Sequence, residues 1–179
     1  MLDEIIFAGF GGQGVLLMGR LIAYAGMLEG KHVAWVPSYG PEMRGGTANC
    51  TVIVSTDEVA SPVVSNPMTL IAMNMPSLEK FEPLVEKGGT IILNKSLIFK
   101  TVKRTDVQVI EVLANDIAND LGNLRVANMV VLGAYVAKSN SVKMETIFQA
   151  LEDILGKKSE KILALNKEAL IRGKEIAIG

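Results

Sequence analysis

A glycine-rich stretch near the N-terminus has the spacing of a phosphate-binding turn. Gly9, Gly11 and Gly14 match the pattern G-x-G-x-x-G directly after a predicted strand and at the start of a predicted helix. In such a turn the first glycine permits a tight bend, the second lets a phosphate approach the backbone, and the third lets helix and strand pack closely. Gly12 adds flexibility, and Gln13 adds an amide that could reach a ligand. The stretch therefore predicts an anion site, with a crowded strand–helix turn as the purely structural alternative.

The residues that would complete a nicotinamide site are missing. Such a site usually needs an Asp or Glu about 20 residues beyond the glycines, at the end of the second strand, to bind the ribose hydroxyls. Residues 34–38 contain no carboxylate, and the next one along the chain is Glu42. A stand-alone, dinucleotide-dependent oxidoreductase is therefore the less favoured alternative.

The segment from Ser38 to Cys50 is the second candidate for anion chemistry. Its prolines and paired glycines predict a loop of defined shape, because proline fixes φ and glycine admits positive φ. Arg44 is suited to present its guanidinium to a phosphate or carboxylate, and the alternative is that it pairs with Glu42 or with solvent. The candidate binding residues of this segment are Ser38, Tyr39, Glu42, Arg44, Gly45, Gly46 and Thr47.

The elements that must position these residues alternate between strands and helices. Hydrophobic periodicity predicts strands over 4–8, 32–36, 49–55, 69–73, 90–93 and 107–112, and helices over 14–28, 76–81, 123–138, 143–155 and 159–176. We expect Ser77 to be the N-cap of the 76–81 helix. The pattern predicts an α/β fold, a mostly parallel, doubly wound, Rossmann-like sheet with helices on both faces and a helical C-terminal third. No linker or repeat divides the chain, so one domain over 1–179 is expected.

Composition excludes several classes of function. The chain of 179 residues has a net charge of −1 and no basic run, so nucleic acid is not an expected partner. No apolar run is long enough to span a membrane, and Asp3 and Glu4 stand where a secretory signal would be basic, so a cytoplasmic protein is expected. The single cysteine cannot hold an iron–sulfur cluster alone, and no metal site is expected. A hydrophobic content of 49% suggests burial against other subunits.

Four further residues carry weaker expectations. Cys50 enters an apolar strand, which indicates a buried and inert thiol. His32 should be solvated, and Trp35 should lie in the core. Asn74 follows a predicted strand, where it could contact a ligand or cap the next helix.

Taken together, the two segments resemble a known family. Gly9–Gly14 paired with the Pro37–Cys50 loop looks like the gamma subunit of the 2-oxoacid:ferredoxin oxidoreductases, in the pyruvate/ketoisovalerate oxidoreductase gamma family. The 2-oxoglutarate and 2-oxoisovalerate branch is the nearest, since the pyruvate branch tends to carry Arg-Gly-Ala in place of Arg44-Gly45-Gly46. The likeness continues through residues 71–77, 88–89 and 165–170, and so covers essentially the whole chain.

The resemblance implies a place in a cytoplasmic hetero-oligomer that decarboxylates a 2-oxoacid, forms the acyl-CoA and passes electrons to ferredoxin. Thiamine diphosphate and the iron–sulfur clusters would be held by the alpha, beta and, where present, delta subunits. The gamma chain would serve assembly and bind coenzyme A, without a catalytic residue of its own. A pure assembly subunit, whose glycine loops only pack against a neighbour, is the remaining alternative.

Overall fold

The computed structural model describes residues 1–38, 47–156 and 159–178, which contain a six-stranded sheet. Its order is β2-β3-β1-β4-β5-β6. The predicted α/β architecture with a mostly parallel sheet is confirmed, with strand boundaries close to those expected. The strands are β1 (Leu2–Phe10), β2 (His32–Ser38), β3 (Thr47–Ser55), β4 (Thr69–Ala72), β5 (Thr90–Asn94) and β6 (Gln108–Val112).

One strand runs against the other five. β3 pairs antiparallel with both β1 and β2, whereas the β1–β4, β4–β5 and β5–β6 pairs are parallel. Parallel neighbours need a crossover of a dozen or more residues, and only residues 39–46 separate β2 from β3. The short connection therefore forces an antiparallel pair, which inserts β3 between β1 and β2.

Six α-helices lie among the described residues, one more than the periodicity predicts. They are α1 (Val15–Leu28), α2 (Met75–Phe81), α3 (Ala114–Asp120), α4 (Ala127–Ser139), α5 (Met144–Leu155) and α6 (Glu160–Ile178). The helix α3 is missing from the prediction because it is short and buries only Ala114 and Ala118. The predicted 123–138 helix is a 3-10 turn over 124–126 followed by α4.

The helices cover the two faces of the sheet unequally. One face packs against α1 and α3 to α6, in a core that includes Phe7, Met18 and Tyr135. The other face packs against α2, around Leu78 and Phe81. Because α1 follows β1 on one face and α2 follows β4 on the other, a crevice opens between the carboxyl ends of β1 and β4. Open α/β sheets bind their ligands at such a switch point.

Two glycines hold α4 and α6 close together. A Cβ atom on Gly133 would overlap the backbone carbonyl of Leu170, and one on Gly173 would overlap the backbone carbonyl of Val130. Because backbone atoms cannot rotate out of the way, only glycine fits at these positions. The pair fixes α4, whose first residues form one wall of the crevice.

Candidate functional site

The glycine turn joins β1 to α1 through two left-handed residues. Gly12 has φ of 93° and Gly14 has φ of 74°, a region that other L-residues enter at a cost of roughly 1–2 kcal/mol. Gln13 N donates to Phe10 O at 3.1 Å, and Met18 N donates to Gly14 O at 3.1 Å to begin the helix. Gly14 is thus the N-cap of α1. The predicted strand–turn–helix is confirmed.

The glycines have different roles from those expected. Gly9 lies inside β1, so the prediction that it permits the tight bend is wrong. It is needed for close packing instead, since a Cβ there would lie 2.9 Å from Met73 Cβ and 2.9 Å from Val15 Cγ1. A Cβ on Gly14 would strike the side-chain amide of Asn128 on α4. Gly12 has open space where its Cβ would be, and it is exposed together with Gly11. These two glycines are the part of the turn that a ligand can approach.

Gln13 fastens the turn to the connection between β4 and α2. Its Oε1 accepts from Phe10 N at 2.7 Å and from Asn74 Nδ2 at 3.1 Å, and its Nε2 donates to Met73 O at 3.3 Å. Both ends of the amide are therefore occupied within the chain. Gln13 therefore holds the glycine turn against the connection between β4 and α2, and its contact with a ligand stays a prediction.

Asn74 caps α2, which settles the choice left open for it. Its Oδ1 accepts from Ser77 N at 2.9 Å, and it has the extended backbone of an N-cap residue. The prediction that Ser77 is the N-cap is wrong by one turn, because Met75 and Pro76 already belong to the helix. The Asn74 side chain bonds both Ser77 N and Gln13 Oε1. Asn74 and Gln13 therefore form one hydrogen-bond network, which we call the Gln13 network, between the glycine turn and the start of α2.

A crevice of about 180 Å³ lies beside the turn. Two of its walls come from residues that the sequence analysis did not single out, Arg125 and Asn128, which precede and begin α4. The full lining is Gly12, Gln13, Met73, Asn115, Leu124, Arg125, Ala127 and Asn128. A guanidinium opposite an open glycine turn is suited to a phosphate or carboxylate.

Arg125 and Asn128 differ in how they are held. Asn128 is only 5% exposed, and its Oδ1 accepts from Met129 N at 3.0 Å while its Nδ2 lies 3.4 Å from Gly14 O. Arg125 is exposed, and among the described residues its side chain has no carboxylate within 4.0 Å. Its backbone N donates to Asn123 Oδ1 at 3.0 Å, which fixes the start of the turn. Within the part of the chain that the structure describes, the guanidinium is therefore available to an anion.

An asparagine pair stands behind this crevice at the end of β5. Asn94 Nδ2 donates to Asn115 Oδ1 at 2.8 Å, and Asn115 lines the crevice. Asn94 is fully buried, and its Oδ1 has no hydrogen-bond donor among the residues that the structure describes. Asn94 ends the apolar strand β5 and Asn74 follows the apolar strand β4 by two residues, a sequence signal that would have marked this end of the sheet.

Only the two ends of the second candidate segment fall in the described structure. Ser38 is the last residue of β2 and is exposed, and Thr47 is the first residue of β3. Thr47 pairs with Phe10 at the end of β1, so the segment re-enters the sheet directly beside the glycine turn. Tyr39, Glu42, Arg44, Gly45 and Gly46 lie outside the described residues.

The structure confirms the expectations for Cys50 and His32 and contradicts the one for Trp35. Cys50 is fully buried, its Sγ lies 3.6 Å from Val15 O, and burial raises the pKa of its thiol to about 12, so the inert thiol is confirmed. His32 is exposed, as expected. Trp35 is 36% exposed, so its assignment to the core is wrong. It lies on the edge strand β2, with its indole Nε1 beside Gly19.

Among the described residues, no helix is long and apolar enough to cross a bilayer, and no group of three His, Cys, Asp or Glu side chains could hold a metal ion.

Comparison with known proteins finds related sequences and a similar fold. The chain is 40% identical over 174 residues to the ketoisovalerate oxidoreductase subunit VorA of Methanothermobacter thermautotrophicus, covering 97% of this chain and 36% of that one. It therefore spans about a third of the length of this relative. The gamma subunit of a keto/oxoacid ferredoxin oxidoreductase from Geobacter sulfurreducens superposes with a TM-score of 0.84 at 31% identity, covering 98% of both chains.

A second solved structure is larger. It is the 2-oxoglutarate:ferredoxin oxidoreductase of Magnetococcus marinus with 2-oxoglutarate, coenzyme A and succinyl-CoA bound. Its TM-score is 0.92 at 27% identity, covering 99% of this chain and 31% of that one. The family model described as pyruvate ferredoxin/flavodoxin oxidoreductase matches residues 4–176. The glycine turn, the sheet built around it and these matches together show that the chain belongs to the pyruvate ferredoxin/flavodoxin oxidoreductase family.

Proposed function

We propose that this chain is the gamma subunit of a cytoplasmic 2-oxoacid:ferredoxin oxidoreductase. The complex would convert a 2-oxoacid, coenzyme A and oxidised ferredoxin into acyl-CoA, CO2 and reduced ferredoxin. The observation that carries the proposal is the end-to-end match with a solved gamma subunit, which covers 98% of both chains. The substrate would be 2-oxoglutarate or 2-oxoisovalerate, since relatives named for both acids match.

The gamma chain would contribute a contact for an anionic group of coenzyme A. The crevice supports this role because it combines an exposed guanidinium, Arg125, with a turn that is open at Gly12. Phosphates are bound by such guanidinium groups and by backbone amides that glycine leaves uncovered. Ser38 and Thr47 flank the segment that re-enters the sheet beside this turn, and we assign that segment to the same site.

The redox centres would belong to the alpha, beta and, where present, delta subunits. An iron–sulfur cluster needs several thiolates, and this chain has one cysteine, whose thiol is buried and has a pKa of about 12. The donor set of this chain therefore does not fit a cluster. The polar groups of Gln13 and of the buried Asn128 form hydrogen bonds within the chain. We therefore assign these two residues a structural role in holding the walls of the crevice, and no role in the reaction.

The coenzyme A contact is tested by Arg125→Ala in the assembled complex. Losing a charge-assisted hydrogen bond of about 1.5 kcal/mol raises the KM for coenzyme A about tenfold. The KM for the 2-oxoacid should stay unchanged. Lys87→Ala removes an equal charge from an exposed position on the turn before β5, and serves as the matched control.

Two results would favour the alternatives. If Arg125→Ala assembles normally and keeps the KM for coenzyme A, the crevice is not the coenzyme A contact and the assembly role gains support. If NADH raises the melting temperature of the chain and coenzyme A does not, the dinucleotide-dependent alternative is favoured, because a ligand that binds only the folded state stabilises it. Purification with the co-eluting subunits, assayed with 2-oxoglutarate and 2-oxoisovalerate, tests the substrate.

A further inference from the structure

A second cavity lies at the amino ends of the strands, at the opposite end of the sheet from the crevice. It has a volume of about 340 Å³, at the lower end of the roughly 300–1,000 Å³ of small-molecule sites. The first residues of β1, β4 and β5 line it together with the C-terminal end of α4. Its charged side chains are Asp3 and Lys138, and Met1, whose N-terminal ammonium donates to Thr56 Oγ1 at 2.7 Å, also lines it.

Asp3 is a buried carboxylate held by hydroxyl groups. It is 8% exposed, and its Oδ2 accepts from Tyr135 OH at 2.7 Å and from Ser141 Oγ. Burial and the neighbouring Asp3 raise the pKa of Tyr135, so its hydroxyl remains a donor. The second oxygen, Oδ1, has only a 3.5 Å contact with Thr69 Oγ1. A carboxylate has about four acceptor positions, so Oδ1 retains capacity for a further donor.

The charge of Asp3 is not balanced within the described part of the chain. No lysine, arginine or N-terminal nitrogen there lies within 4.0 Å of its carboxylate. Lys31 Nζ donates to the backbone oxygen of Ser141, whose hydroxyl bonds Asp3, but its ion-pair partner is Glu29 at 2.8 Å. Burying a carboxylate without a cation is unfavourable, so the cavity is suited to a positively charged group.

Lys138 brings a positive charge to the same cavity, and among the described residues it also has no ion-pair partner. Lys138 is exposed at the end of α4, and no carboxylate in residues 1–38, 47–156 and 159–178 lies within 4.0 Å of its Nζ. Asp3 and Lys138 therefore face one space without pairing with each other. Leu2, Met68 and Ile92 give the same cavity an apolar portion.

A groove of similar size beside α2 shows the contrast. It has a volume of about 360 Å³, and two of the cations that line it, Lys100 and Arg104, are in ion pairs. Lys100 bonds Glu79 at 2.5 Å, Arg104 Nε bonds Asp106 at 2.6 Å, and Glu82 accepts from the backbone of residues 103 and 104. The difference from the cavity at Asp3 lies in these two cations, since Lys100 and Arg104 are paired and Lys138 has no carboxylate within 4.0 Å among the described residues.

We propose that this cavity binds a small zwitterion of the α-amino-acid class with a short aliphatic side chain. The ammonium group meets Asp3 Oδ1, the carboxylate meets Lys138, and the side chain lies against Leu2 and Met68. The site is independent of the crevice that we assign to coenzyme A, so it would be regulatory or structural in the complex.

The test is calorimetric titration of the full chain with L-valine, two fragments of it and L-alanine. L-Valine has both charged ends, isobutylamine lacks the carboxylate and isovalerate lacks the ammonium group. We expect L-valine to bind at least about tenfold more tightly than either fragment, since each fragment loses one charge-assisted contact. L-Alanine serves as the smaller zwitterion.

Two variants locate the site. Lys138→Gln is at an exposed position, so it should fold normally and weaken L-valine binding about tenfold, to the level of isobutylamine. Lys161→Gln, exposed on α6 and outside the cavity, should leave it unchanged. Asp3→Asn should weaken binding at least as much, and Lys138→Gln decides the question if Asp3→Asn does not fold.

The proposal is overturned if neither L-valine nor L-alanine binds saturably. It is also overturned if isobutylamine binds as tightly as L-valine, or if Lys138→Gln and Lys161→Gln behave alike.

Discussion

Gln13 offers a direct test of how the glycine turn is held against the connection between β4 and α2. Replacing it with Ala removes three hydrogen bonds, from Phe10 N at 2.7 Å, from Asn74 Nδ2 at 3.1 Å and to Met73 O at 3.3 Å. The first contact is exposed, so water can replace Gln13 there and the loss is about 0.5 kcal/mol. The other two are partly buried and contribute about 0.75 kcal/mol each. The free energy of unfolding should fall by about 2 kcal/mol.

The measurement is urea unfolding of the purified chain, followed by circular dichroism. At about 2–4 °C per kcal/mol for a chain of this size, the melting temperature should also fall by about 4–8 °C. Gln149→Ala is the matched control, because Gln149 is exposed on α5 and the substitution removes an amide of the same size. If the free energy of unfolding falls equally in the two variants, within about 0.5 kcal/mol, the hydrogen bonds of Gln13 do not hold the turn in place. Its amide would then be available to a ligand.

Three further results are expected. Gly173→Ala should destabilise the chain by about 3 kcal/mol in the same urea assay, because the new Cβ meets the backbone carbonyl of Val130; a gain of stability, as for an unobstructed helical glycine, would contradict the packing described. Tyr135→Phe should lower the free energy of unfolding by about 2 kcal/mol, since a buried Asp3 loses a donor, and an unchanged value would show that the bond is not formed. For Cys50 the folded pKa of about 12 exceeds the ordinary 9.0, so its contribution to stability is complete below about pH 9 and is lost as pH rises toward 12. Between pH 9 and 10.5 the free energy of unfolding, measured in urea at each pH, should therefore decline less steeply in Cys50→Ala than in the parent chain. Equal declines in the two chains would refute the raised pKa of Cys50.

The parts of the fold that depend on local pattern could be predicted from the sequence. The apolar runs of β1, β4 and β5 are buried on both faces, so continuous hydrophobicity marks them without ambiguity. The spacing of the glycines identified the turn, because a strand and a helix had to meet there. Positive φ at Gly12 and Gly14 shows that local backbone geometry is part of the reason for glycine.

The parts that depend on distant contacts could not be predicted. Arg125 and Asn128 reach the glycine turn from more than a hundred residues along the chain, and Asn128 meets Gly14 only because α4 is packed against α1. Trp35 looked like a core residue because its strand is apolar, but β2 lies at the edge of the sheet, where few elements cover it. Neither the contact between Asn128 and Gly14 nor the edge position of β2 can be predicted from the local spacing of residues.

The missing ribose carboxylate has a topological explanation. In the usual dinucleotide-binding sheet the second strand lies next to the first, so an acidic residue at its end reaches the ribose. Here β3 lies between β1 and β2, which moves the end of β2 about 10 Å from β1, two strand spacings away. A carboxylate at Ser38 would be too far away for that role, and the neighbouring strand presents Thr47, its first residue, instead. Arg125 lines the crevice on the other side of the turn, and a guanidinium there favours an anionic group over a nicotinamide ribose.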